Sequence, residues 1–148
     1  MCGRYRLSRR KEILAEYFDA GDDVDWAPRY NVAPGHDVPV VRQDAAKPVR
    51  SLSLFRWGLV PWWAKDPKAG YKMINARAES VADKPAFRDP LQSRRCLIPA
   101  DAFYEWTTGA RRNYPTALRT PMMPYLRLRG CGTAGKVQTV NRFSRARL

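Results

Sequence analysis

The run from Ser51 to Trp63 restricts the possible folds more than any other stretch of this chain. Ser51-Leu52-Ser53-Leu54-Phe55 reads as a strand, Gly58 and Pro61 punctuate the residues after it, and Trp62 and Trp63 stand side by side beyond the proline. Neighbours on a strand point to opposite faces, so both indoles cannot enter one core without a bend. Two outcomes are open. Both rings cover the end of a barrel-like core, the commoner fate of tryptophan, or at least one is exposed as a wedge or stacking platform for a nucleobase.

The rest of the chain is cut into similarly short pieces. A turn at Pro34-Gly35 precedes a strand over residues 38–42, residues 71–74 read as the end of a strand, and residues 94–100 and 101–106 read as two more. Only two helices are predicted. One covers residues 9–19, capped by Ser8, with Ile13, Leu14, Tyr17 and Phe18 on one face and Glu12 near the positive end of the dipole; the other covers residues 85–93 after Pro85. Residues 20–28 read as a loop. The pattern is α+β, predominantly β, and 148 residues of which 45% are hydrophobic suit one domain with its own core.

Several classes are disfavoured. No stretch is long and apolar enough to span a bilayer, and Arg4, Arg6, Arg9 and Arg10 break up the N-terminus where a signal peptide would need an apolar segment, so an intracellular, soluble protein is expected. Cys2, Cys96 and Cys131 are odd in number and lack metal-ligand spacing, and His36 is the single histidine, so neither a disulfide framework nor a metal site is expected. Cys96 reads as a buried small apolar residue, and His36 as a solvated turn histidine. The net charge of +13 is unevenly spread. All 14 acidic residues lie at or before Glu105, whereas nine of the 27 basic ones fall in residues 106–148. A basic, acid-free tail ordinarily points to nucleic acid.

Three places carry chemistry. If Met1 is removed, Cys2 presents an α-amine with a pKa of about 8 and a thiol of about 8.5 on one carbon skeleton. The amine can condense with an aldehyde, and the thiolate can close on the imine carbon to give a thiazolidine; the bland alternative is that Cys2 is an ordinary second residue. Asn75 and Arg77 share a strand parity, offering an amide to orient a substrate and a guanidinium to hold a phosphate. In residues 101–106, Phe103 and Glu105 face one way and Tyr104 and Trp106 the other, which sets a carboxylate among aromatics where it could transfer protons; a solvated strand glutamate is the commoner case.

Taken in order, Cys2-Gly3-Arg4-Tyr5, Arg29-Tyr30-Asn31-Val32-Ala33-Pro34-Gly35, Trp57-Gly58-Leu59-Val60-Pro61-Trp62-Trp63, Asn75-Ala76-Arg77-Ala78-Glu79 and Leu97-Ile98-Pro99-Ala100-Asp101-Ala102-Phe103-Tyr104-Glu105-Trp106 resemble the SOS response-associated peptidase (SRAP) family of abasic-site processing proteins. The resemblance covers residues 1–106, about half of a family domain. It implies a barrel-like α+β fold and a partner, single-stranded DNA containing abasic sites, bound in a basic groove. It also implies an enzyme of hydrolase or lyase type that crosslinks Cys2 to the open-chain aldehyde of the abasic site in the DNA damage response, with autoproteolytic removal of the N-terminal methionine or short propeptide. By the same resemblance Cys2, Asn75 and Glu105 are the catalytic set. Arg4, Asn31 and Arg77 hold phosphates and sugars, Trp62 and Trp63 wedge or stack at the lesion, no cofactor is required, and the protein acts as a cytoplasmic monomer associated with the nucleoid.

The second half departs from the family pattern. Family members carry a histidine there that assists proton transfer, but no histidine follows His36, and no apolar strands are evident beyond Trp106. Read one frame over from the third base of the Pro124 codon, the codons for residues 125–138 can encode LFAFAGLWDRWKSP, which resembles the strand and tryptophan-rich turn of the family. The expectation is therefore a frameshift between Trp106 and Pro115, with residues 1–106 the N-terminal part of one domain and residues 107–148 an out-of-frame basic tail. Two other classes stay open. A glutamine amidotransferase with an N-terminal cysteine would also begin Met-Cys-Gly, and a non-catalytic basic nucleic-acid-binding module would bind reversibly, salt-sensitively and without need of Cys2.

Overall fold

The alternation in Arg4-Tyr5-Arg6-Leu7 sets the first strand: β1 (Arg4–Leu7) buries Tyr5 and Leu7 and turns Arg4 and Arg6 to the other face. The computed structural model describes residues 3–21, 23–43, 48–77, 79–108, 113–118, 126–133 and 136–141. After β1 come α1 (Lys11–Phe18), β2 (Ala20–Gly21), β3 (Arg29–Val32), β4 (Asp37–Gln43) and β5 (Arg50–Trp57). A 3-10 helix (Pro67–Lys72), β6 (Asn75–Arg77), α2 (Pro85–Ser93), β7 (Arg95–Ala100) and β8 (Ala102–Thr108) come next, and then β9 (Asn113–Leu118), β10 (Leu126–Thr133) and β11 (Lys136–Asn141).

These strands make a four-stranded sheet in the order β3-β1-β8-β9 and a seven-stranded sheet in the order β2-β5-β4-β7-β10-β11-β6. A further parallel pairing joins β11 to β5 through Lys136↔Arg56 and Val137↔Trp57, so the larger sheet curls back on itself. The architecture is α+β and barrel-like, as expected; it keeps open edges and is not one closed barrel. No helix among the described residues is long and apolar enough to cross a membrane.

The main core packs Tyr5, Leu7, Leu14, Phe18, Val32, Val38, Val40, Trp57 and Ile98 between the sheets and α1. Each such side chain contributes about 1.5–3 kcal/mol by leaving water. Tyr5 and Trp57 meet edge to face, with centroids 5.4 Å apart at 61°, and the Trp57 Nε1–H donates to the Ile74 carbonyl at 3.0 Å. A smaller cluster of Leu59, Ala76, Val81 and Phe87 lies against α2. α2 has the bounds expected for it.

Four local expectations are corrected. Ser8 does not cap α1, which begins at Lys11 without a side-chain cap. Its N–H and Oγ–H instead both donate to Asp101 Oδ2 at 2.5 Å. A carboxylate that is 5% exposed offers a charge-assisted bond, which a backbone N–H at a helix end does not match. Tyr17 is 37% exposed and off the face that buries Leu14 and Phe18. Residues 71–74 are not a strand end, because Pro67 opens a 3-10 helix whose Lys68 N–H is capped by Asp66 Oδ1 at 2.8 Å, and extended backbone resumes only at Asn75. Finally, strands do form beyond Trp106: β10 pairs with β7 from Leu126↔Ala100 to Cys131↔Arg95, and its Leu-Arg-Leu-Arg start supplies the period of two that a sheet requires.

Candidate nucleic-acid interface and active site

Position in the four-stranded sheet decides which residues meet. β1 lies antiparallel to both neighbours, with Arg4↔Tyr104 and Tyr5↔Phe103 toward β8 and Tyr5↔Val32 toward β3. Because Tyr5 points inward, Arg4 points out beside the outward residues of the flanking strands. Its Nη1–H donates to Asn31 Oδ1 at 2.9 Å, and the Tyr104 hydroxyl donates to the Tyr30 carbonyl at 2.8 Å. Arg4, Asn31, Tyr104, Trp106 and Pro115 line a cavity of about 330 Å3, with Trp106 49% exposed. A guanidinium, an amide and two aromatic rings around one opening can hold a phosphate and a sugar, or stack a base. Arg4 and Asn31, both expected from sequence to bind DNA, are brought together here. Tyr104 and Trp106 carry only one signal in the sequence, their parity opposite to Glu105, and it is the signal that could have found them.

Asp101 fixes this arrangement from behind. Besides Ser8, it has Arg9 Nε 3.7 Å from Oδ1 and Arg6 Nε 4.0 Å from Oδ2, and its own N–H donates to the Arg6 carbonyl at 2.8 Å. The chain leaving β1 is thus held to the corner between β7 and β8. Nothing in the sequence pattern assigns Asp101 this work.

Glu105 is half-buried on β8 opposite Thr116 of β9, on the face it shares with the buried Phe103. Asn75 is half-buried on β6, the last strand of the other sheet, where it pairs with Thr139 of β11. Ala76 is buried and Arg77 exposed, so Asn75 and Arg77 share the parity expected of them. The two sheets communicate through Trp57, whose ring touches Tyr5, the neighbour of Arg4, and whose N–H holds Ile74, the neighbour of Asn75. Trp57 is a positioning residue that stands in the sequence only as one member of a motif. Cys2 lies outside the described residues. Gly3 next to it faces open space, since an added Cβ would meet nothing within 4 Å.

Trp62 and Trp63 are both exposed, by 85% and 48%, with rings 5.5 Å apart at 87°. The reading that both cover a core end is overturned. Pro61 is buried and its carbonyl accepts the Ala64 N–H at 3.0 Å, a tight turn that pushes the two indoles outward. His36 is exposed, with Nδ1 accepting the Ala33 N–H at 3.3 Å.

The family model described as SOS response associated peptidase (SRAP) matches residues 1–136. The chain belongs to this family. Its SRAP relatives include the abasic site processing protein YoaM of Bacillus subtilis (strain 168), 49% identical over 109 residues that cover 72% of this chain and 47% of that protein. The abasic site processing protein HMCES of Mus musculus is 34% identical over 147 residues, covering 83% of this chain and 42% of that protein. The chain therefore spans about half the length of the curated relatives it matches. Among solved structures, a crystal structure of a Bacteroides thetaiotaomicron protein superposes with a TM-score of 0.76 at 22% identity, over 94% of this chain and 66% of that one. A Bordetella bronchiseptica protein gives 0.71 at 24%, over 94% and 69%. These two likenesses show that the chain shares the fold of those two proteins.

Proposed function

We propose that this SRAP protein processes abasic sites in single-stranded DNA by forming a covalent crosslink through Cys2. The supporting observation is the opening where Arg4, two residues from Cys2 in the chain, meets Asn31 beside Tyr104 and Trp106; the exposure of Trp62 and Trp63 adds an aromatic surface open to a base. The relatives named as abasic site processing proteins support the substrate class.

The chemistry balances without a cofactor. Removal of Met1, the family's peptidase activity turned on its own chain, frees the Cys2 α-amine. The amine attacks the aldehyde carbon of the ring-opened deoxyribose, and the carbinolamine loses one water to give an imine. The Cys2 sulfur then bonds to the imine carbon, the thiol proton ends on the nitrogen, and a thiazolidine results. Glu105 carries protons during ring opening and dehydration, and Asn75 hydrogen-bonds the sugar or the intermediate. Arg4, Asn31 and Arg77 hold phosphates and sugars, while Trp62 and Trp63 stack at the gap left by the missing base. The protein would act as a cytoplasmic monomer, nucleoid-associated while at work.

The test is a denaturing gel after incubation with a single-stranded oligonucleotide carrying one abasic site. A shifted band that Cys2→Ala abolishes is expected. Binding without any covalent band would favour a reversible basic module.

We propose as well that residues 107–148 are read out of frame. The absence of any acid after Glu105 supports this, as do matches to the three Bacillus relatives that run for 109 residues. The pairing of β9 with β8, of β10 with β7 and of β11 with β10, and a family match reaching residue 136, give the segment a place in the sheets; the proposal concerns the side chains it carries there. Sequencing of the locus together with a tail peptide by mass spectrometry decides it. An intact frame with the peptide present would overturn the proposal.

A further inference from the structure

A second cavity, of about 290 Å3, lies where the Pro34-Gly35 turn, the chain after β5 and the 3-10 helix converge. Its floor is bare backbone. Gly58 has φ +139°, and a Cβ there would sit 2.6 Å from the Gly70 carbonyl oxygen; one on Gly70 would sit 3.0 Å from Val60 Cγ2. The crossing is fixed by the Gly35 N–H on the Trp57 carbonyl at 2.8 Å and the Leu59 N–H on the Met73 carbonyl at 3.0 Å. One wall is the Tyr71 ring, packed so closely on Gly35 (φ +84°) that a Cβ would lie 2.7 Å from Tyr71 Cε1, yet 54% exposed.

Arg56 and Lys68 also line this cavity, and both are exposed. Neither side chain has an ion pair or hydrogen bond among the described residues. Asp66 is engaged with the Lys68 backbone N–H, and Asp37, across from Arg56 in the β4–β5 register, makes no ion pair with it among the described residues. A flat ring face beside two cations suits a group that is aromatic at one end and anionic at the other. The chain leads from Val60 on the rim to Trp62 in two residues, about 7 Å at most, so the cavity and the exposed indoles adjoin.

We infer that this cavity is a subsite for one intact nucleotide of the bound single strand, with the base against Tyr71 and the phosphate on Arg56 and Lys68. The inference rests on the single-stranded DNA reading above. Fluorescence anisotropy with undamaged oligo-dT, titrated with salt, tests it on the full chain and on Tyr71→Ala, Tyr71→Phe, Lys68→Gln and Arg56→Gln, each checked for folding by circular dichroism. Tyr71→Ala should weaken binding about tenfold while Tyr71→Phe retains it. Each lost cation should lower the slope of log affinity against log salt by about 0.7. Crosslink yield at saturating abasic DNA should be unchanged in all four. Free dTMP at millimolar concentration should not compete, and full competition by it would overturn the strand assignment in favour of a free-nucleotide site. Wild-type affinity and salt slope in every variant would overturn the subsite while leaving the DNA reading standing. A wild-type chain that is folded yet binds no single strand would overturn that reading, and the subsite with it.

Discussion

Trp57 and Trp62 stand five residues apart in one motif and have opposite fates. Trp57 is 2% exposed, wedged against Tyr5 with its N–H satisfied by Ile74, whereas Trp62 is 85% exposed in the turn after Pro61. The difference comes from the backbone between them: Gly58 at φ +139° swings the chain out of β5, and buried Pro61 anchors it before the indoles emerge. One ring packs between the two sheets, and the other is presented to solvent. Residue type alone does not separate core from interface here, but local geometry does.

The sharpest way to break this comparison is to remove each ring. Trp57→Ala is expected to cost about 3–5 kcal/mol, by lost burial, the cavity left behind and an unpaired Ile74 carbonyl, and to unfold much of the protein in a urea titration. Asp101→Ala should come next, at about 3 kcal/mol, because it strands Ser8 and the two arginines held at the β7–β8 corner; the same titration reads it. Gly58→Ala should destabilise by about 1–3 kcal/mol through positive φ and contact with Gly70, seen as a lowered melting temperature. Trp62→Ala should change stability by less than about 0.5 kcal/mol and yet weaken single-stranded DNA binding by about 1–3 kcal/mol. If Trp62→Ala unfolds the chain, or Trp57→Ala leaves it stable, the division of labour fails. The smallest expected effect is Tyr104→Phe, about 1 kcal/mol or less for an exposed hydrogen bond to Tyr30.

Much of this was legible in the sequence because short strands announce themselves by alternation. The strand from Arg95 to Ala100 and the opposed parities of Glu105 and Trp106 were read from the sequence in this way. The failures were choices between competing local bonds. Ser8 had a helix end or a buried carboxylate available, and only the fold brings Asp101 within reach across 93 residues. Residues 71–74 look extended by composition, but the Asp66 cap and Pro67 bend the preceding turn into a 3-10 helix. The pocket that unites Arg4 and Asn31 with Tyr104 and Trp106 needed the β3-β1-β8 order, which no single strand encodes. The role of Trp57 between β1 and β6 was invisible for the same reason.

The central claim is that Cys2 forms the covalent bond, and intact-mass spectrometry of the purified protein after reaction with an abasic oligonucleotide tests it most directly. The expected species weighs one water less than the sum of Met1-free protein and DNA, maps to a peptide beginning at Cys2, and is absent for Cys2→Ala. An adduct of the same mass on a lysine, or an undiminished adduct with Cys2→Ala, would contradict it.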